Sequence, residues 1–125
     1  MKDLFLGTDH PAIAAENSET LSNWYCEVLG YKIYVQTKES VYLLEAPDKT
    51  FLEIMPKDET PRQERTVKTP GFSHLALRIS DMDMAMAELD KFCVKWNGAE
   101  FEAVGGARIR NFFDPEGNVL QIVQR

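Results

Sequence analysis

A chain of 125 residues, 44% hydrophobic and 27% charged, carries enough apolar material for one ordinary soluble core, so a single domain spanning residues 1–125 is expected. Its net charge of −6 and a pI near 4.9 argue against nucleic acid and anionic membrane surfaces as partners, because both reward a concentrated basic face that is missing here. The first ten residues hold no apolar run long enough for a signal peptide or a membrane span, and a cytoplasmic protein is the expectation.

In chain order, His10 to Ala15 reads as a short apolar strand. Asn17 or Ser18 can cap a helix whose buried stripe is Leu21, Trp24, Tyr25, Val28 and Leu29, and Gly30 ends it by accepting positive φ. Strands follow near Lys32 to Thr37, Val41 to Ala46 and Phe51 to Met55, the last two joined by the Pro47-Asp48-Lys49 turn. These elements form a first βαβββ module over about residues 4–56. Lys57 to Gly71, rich in Pro, Lys, Glu and Thr, has no periodicity and reads as a solvated linker, which could also fold over a site between two half-sites.

From about residue 72 to 125 the same order returns. A strand at His74 to Ile79 leads to a helix capped near Asp81 or Asp83, with Met82, Ala85, Met86, Leu89, Phe92 and Cys93 buried and Asn97-Gly98 ending it. The Met-rich stripe reads as core. Strands near Phe101 to Val104, Ala107 to Phe113 and Asn118 to Gln124 close the chain. Cys26 and Cys93 lack metal-type spacing and read as buried free thiols within helices.

The two copies agree in detail. At an offset of 64, His10 meets His74, Ala12 meets Ala76 and Asn17 meets Asp81; at the far end the offset is 68, where LEI around Glu53 meets LQI around Gln121. Alternation along a strand places Glu53 with Phe51 and Met55, Gln121 with Val119 and Val123, and each histidine with small neighbours, on faces that can line a pocket. A carboxylate amid apolar strand residues is costly to bury without a charge partner, and two imidazoles with a divalent metal ion supply one. His10, Glu53 and His74 make a two-histidine, one-carboxylate set suited to Fe(II), Mn(II), Ni(II) or Zn(II), to which Gln121 adds a neutral carbonyl oxygen. Singly, such a histidine or glutamate is more often an ordinary polar residue or a solvated one; the shared register favours the metal. Arg78, with the parity of His74, and Arg108 and Arg110, on one face with Phe112, are candidates for holding an anionic substrate group or else solvated charges.

With these residues in place, the chain resembles the vicinal oxygen chelate superfamily, which includes glyoxalase I, bleomycin-resistance proteins, fosfomycin-resistance enzymes and extradiol dioxygenases. The resemblance runs from DHPAIAAENSETLSNWYCEVLGYKI through FLEI to FSHLALRISD and FFDPEGNVLQIV. It implies an α+β fold of two tandem βαβββ modules forming a curved mixed sheet around a central cleft, helices on the outer face, ligands on the first and last strands of each module, and a homodimer. It also implies a metal-dependent enzyme of the glyoxalase I (lactoylglutathione lyase) type acting on a small oxygenated substrate, with Glu53 as ligand and base. The departure is Gln121, where relatives of the glyoxalase and dioxygenase kind commonly present glutamate, and an amide cannot accept a proton. Two other readings stay open: a metal-independent binding or resistance protein of the bleomycin-resistance type, and an Fe(II) ring-cleaving dioxygenase.

Overall fold

Asn17 and Asp81, equivalent positions of the two copies, each begin a helix in the same way. The Asn17 side-chain oxygen accepts from the Thr20 backbone N–H at 3.0 Å, and that of Asp81 accepts from Met84 at 2.9 Å, each satisfying a donor the first helical turn leaves without a partner. The computed structural model, which describes residues 4–125, is an α+β chain with two mixed sheets, dividing into two units at Pro61 and Arg62.

The first unit runs β1 (Ala12–Ala15), α1 (Ser18–Leu29), β2 (Lys32–Gln36), β3 (Tyr42–Glu45) and β4 (Phe51–Pro56). Its sheet has the order β1-β4-β3-β2, with β1 parallel to β4 and the other pairs antiparallel. Gly30 ends α1 in the left-handed conformation, φ 79°, as its position after the apolar stripe predicts. Strand partners share a face, so Ile13, Tyr42, Leu44, Leu52 and Ile54 lie on one side and Ala12, Leu43, Glu53 and Met55 on the other. Tyr42, Leu44, Leu52 and Ile54 of the first set are buried with Ala15, with Leu21 and Tyr25 of α1 and with Tyr31, and Ile13 is half-buried. Trp24 is half-buried, edge-on to Tyr25. β1 begins two residues later than expected, so His10 precedes the strand. β2 is exposed along its whole length, and its pairing with β3 shifts between Ile33 and Val35, where Tyr34 is left out of the ladder.

The second unit runs β5 (Leu75–Arg78), α2 (Met82–Lys91), β6 (Lys95–Trp96), β7 (Phe101–Glu102), β8 (Arg108–Phe113) and β9 (Val119–Gln124). Its sheet has the order β5-β9-β8-β6, β5 parallel to β9, with β7 also pairing β8. Two expectations are corrected here. α2 stops at Lys91, not at Asn97-Gly98, because Cys93 adopts φ +55°, which no helix continues through; Cys93 is exposed, Phe92 is 39% exposed, and Cys26 is half-buried, so the thiols are less buried than expected. The expected strand at Phe101 to Val104 is the distal part of an interrupted strand. β6 pairs with Phe112 and Phe113, β7 with Arg108 and Ile109, and between them Asn97 donates to the Asn111 carbonyl before the chain bulges at Gly98, φ +89°. The additional length of the second copy falls in this region: Lys95 faces Phe113 as Lys32 faces Glu45 but across a longer stretch of chain, whereas Asn111 faces Gln121 as Leu43 faces Glu53.

Residues 65–73 are more ordered than a plain solvated linker. Arg65 donates through Nη2 to the carbonyl oxygens of Thr69, Pro70 and Phe72, and Thr66 and Thr69 close a turn through backbone and hydroxyl contacts. Among the described residues no helix is long and apolar enough to cross a membrane.

Candidate metal site

The open face of the first sheet brings His10 and Glu53 together. The Pro11 carbonyl accepts from the Glu53 backbone N–H at 3.0 Å, which fixes the height of the pre-strand segment beside β4. From that segment the His10 ring reaches Glu53, with Nε2 at 3.2 Å from Oε2. The other ring nitrogen, Nδ1, lies 2.7 Å from a carboxylate oxygen of Asp9. That hydrogen bond, opposed by desolvation and then supported by the charge of Glu53, holds the imidazole pKa above its ordinary value. Both side chains keep access to water, at 35% and 28% exposure, as a ligand site open to substrate requires.

In the second unit, Gln121 sits on β9 opposite Ala76 of β5 and Asn111 of β8. It is buried, and its amide donates to Asn111 Oδ1 at 2.9 Å. His74 lies one residue before β5, exposed, with Nδ1 2.8 Å from the Ser73 hydroxyl. Each unit thus supplies two of the four expected donors. Among the described residues no three His, Cys, Asp or Glu side chains form a group that could hold a metal ion.

The donor chemistry fits a divalent ion. An imidazole Nε2 and a carboxylate oxygen converging at 3.2 Å need either a proton or a cation to offset two facing lone pairs. In both copies Nδ1 is engaged by the preceding residue, an arrangement common for histidines that ligate through Nε2. The sequence reading passed over Asp9, Ser73 and Asn111. The signal for two of them was present: the residue before each histidine is a hydrogen-bonding one, DH in the first copy and SH in the second.

The three candidate arginines separate. Arg78 shares the face of Ala76 and Gln121 and is exposed. Arg108 and Arg110 lie on the opposite face of β8, toward α2, where each is engaged by protein groups. Arg108 is held by a bidentate contact with Glu100 and by Asp83 at 3.2 Å, and the same hydrogen bonds push its pKa up and that of Glu100 down. Arg110 stacks on Trp96, 4.0 Å from the ring centroid, and donates to the Gly98 carbonyl and to Met86 Sδ.

The turn before β9 is tied by Asp114, whose Oδ1 accepts from the backbone N–H groups of Glu116 and Asn118 while Oδ2 accepts from the Asn118 side chain. Gly117, φ +87°, makes the reversal that delivers β9, and with it Gln121, into register.

A family model for the glyoxalase/bleomycin resistance protein/dioxygenase superfamily matches residues 7–122. The uncharacterized protein YaeR of Escherichia coli (strain K12) is 25% identical over 121 residues, 93% of this chain and 94% of that protein. Among solved structures, the lactoylglutathione lyase of Agrobacterium tumefaciens superposes with a TM-score of 0.73 at 13% identity, covering 97% of this chain and 95% of its own. TnmS3, an antibiotic-binding protein from Streptomyces sp. CB03234, superposes with a TM-score of 0.73 at 20% identity, covering 97% of each chain. At these identities the two structures speak for the fold.

Proposed function

We propose, since the chain belongs to the glyoxalase/bleomycin resistance protein/dioxygenase superfamily, that it is a metal-dependent enzyme of the glyoxalase-like group acting on a small oxygenated substrate. The observation that supports this most is the approach of His10 Nε2 to Glu53 Oε2, with Nδ1 engaged by Asp9 behind it. His10, Glu53 and His74 would hold the ion, with Gln121 offering a carbonyl oxygen. When bound, a divalent ion supplies Lewis acidity to neighbouring oxygens of the substrate.

Glu53 is the one carboxylate of the set, so it is the group able to take a proton from a substrate carbon, exchanging its contact with His10 for that proton. Gln121 has no such capacity and serves only to bind. Arg78, exposed on the face of Gln121, is the cation available to an anionic substrate group. The remaining expectations, a homodimer in the cytoplasm, rest on the resemblance and on composition.

Elemental analysis after reconstitution with zinc, nickel, manganese or ferrous iron tests the reading. Occupancy approaching one ion per chain is expected, and lost in His10→Ala and His74→Ala; occupancy below about a tenth in the parent protein rejects it. One observation favours a second reading, sequestration of a small molecule without chemistry. The Gln121 amide is buried and satisfied by Asn111, which leaves a single carboxylate for catalysis. On that reading, ligand binding survives both histidine substitutions.

A further inference from the structure

We propose that Ser73 is a positioning residue that presets the ring of His74, using a backbone carbonyl of the segment between the two repeats. The role toward a metal rests on the reading that His74 is a ligand, but the positioning itself follows from proton counting.

A serine hydroxyl has one proton to give. Ser73 Oγ lies 2.6 Å from the Val67 carbonyl oxygen and 2.8 Å from His74 Nδ1. A carbonyl oxygen can only accept, so the hydroxyl proton belongs to the contact with Val67. The contact with His74 must then take its proton from the ring, and Nδ1 is the donor. A neutral imidazole carries one ring proton; with that proton on Nδ1, the lone pair of Nε2 is free for a cation.

The carbonyl that starts this relay is held in place. Val67 sits inside the turn closed by Thr66 and Thr69, and the Arg65 guanidinium fastens the carbonyl oxygens of Thr69, Pro70 and Phe72 on the way to Ser73. The segment 65–73 therefore carries orientation information to the histidine that follows it. In the first copy Asp9 likewise accepts from Nδ1, while Glu53, 3.2 Å from Nε2, calls for a proton at the other nitrogen. The relay that sets the tautomer belongs to the second copy and is neutral, whereas the first copy holds Nδ1 with a carboxylate.

Long-range proton–nitrogen correlation NMR of the metal-free protein reads the tautomer of His74 directly, at about pH 8.5, where an ordinary imidazole is neutral. Nδ1–H is expected to be the major form. Ser73→Ala should move the population toward Nε2–H, while Ser73→Thr, which keeps the hydroxyl, should restore it. Zinc affinity should fall about tenfold or more in Ser73→Ala and recover in Ser73→Thr. A parent protein whose His74 is mainly Nε2–H overturns the inference, as does a Ser73→Ala protein with an unchanged tautomer. An Nδ1–H ring in a protein that binds no zinc upholds the positioning and removes only the metal reading.

Discussion

Gln121 donates to Asn111 across 2.9 Å, and the two face each other on β9 and β8 as Glu53 faces Leu43 on β4 and β3. The repeats therefore differ by a pair of residues. Asn111 can meet a carboxylate as well as an amide by rotating its own side chain to present N–H groups. Gln121→Glu is expected to fold, at a stability cost of about 1–3 kcal/mol for the buried charge, and to bind zinc more tightly. Urea unfolding and zinc titration measure both. Zinc affinity equal to that of the parent protein would take position 121 out of the ligand set.

The pH dependence follows from His10. Its pKa is raised in the folded protein, chiefly by Asp9, so the protonated ring adds stability that is fully present below the unfolded value of about 6.5 and is lost as pH rises through the folded pKa. Metal binding runs the other way, since the ion competes with that proton, and zinc affinity should climb as His10 deprotonates. Asp9→Asn should lower the His10 pKa measured by NMR titration. An unchanged midpoint would mean that Asp9 does not control the ring.

Ser22 offers a stability test away from the site. Its hydroxyl is buried at 0% exposure in α1 and has no hydrogen-bond partner among the described residues. Ser22→Ala removes that unmet polar group and improves helix propensity, so the protein should gain about 1 kcal/mol. Tyr25→Ala, one turn on and also 0% exposed, should lose about 3–5 kcal/mol through the cavity it leaves. Chemical denaturation of both variants checks the contrast; a Ser22→Ala protein destabilised by as much as 1 kcal/mol would show a hidden partner.

Among the arginines, Arg78→Ala is expected to raise KM for an anionic substrate about tenfold or more, in line with loss of a charge-assisted contact, while leaving stability nearly unchanged. Arg108→Ala should do the reverse, since it breaks the contacts with Glu100 and Asp83 on the helix side of the sheet. Equal effects of both on KM would contradict the assignment of faces.

The parts of the fold that depend on period and on local chemistry were legible in the sequence. Gly30 as the stop of α1 and Leu52 and Ile54 against Glu53 follow from spacing, which also narrows each cap to two candidates, Asn17 or Ser18 and Asp81 or Asp83, of which the first caps in each case. Cys93 was not legible, because nothing in a cysteine announces a left-handed backbone. The side of the sheet that the arginines take was not legible for a different reason. Strand parity groups Arg108, Arg110 and Phe112 correctly, but β8 is buried on both sides, and alternation does not say which side carries the helix. At the site, the two histidines and Glu53 were visible as register. Their hydrogen-bond partners stand next to them in sequence, yet the direction of a side chain before a strand begins has no period to betray it.

β2 ends its sheet with five exposed residues, an arrangement that elsewhere invites another polypeptide to add itself as a further strand. The break at Tyr34 changes what such a visitor would meet. Lys32 and Ile33 keep one register with β3, Val35 and Gln36 another, so an incoming strand finds only two residues in step on either side of the interruption. A ladder that short is a poor template for a further strand, and the irregularity that looks like a flaw in the sheet blunts this edge.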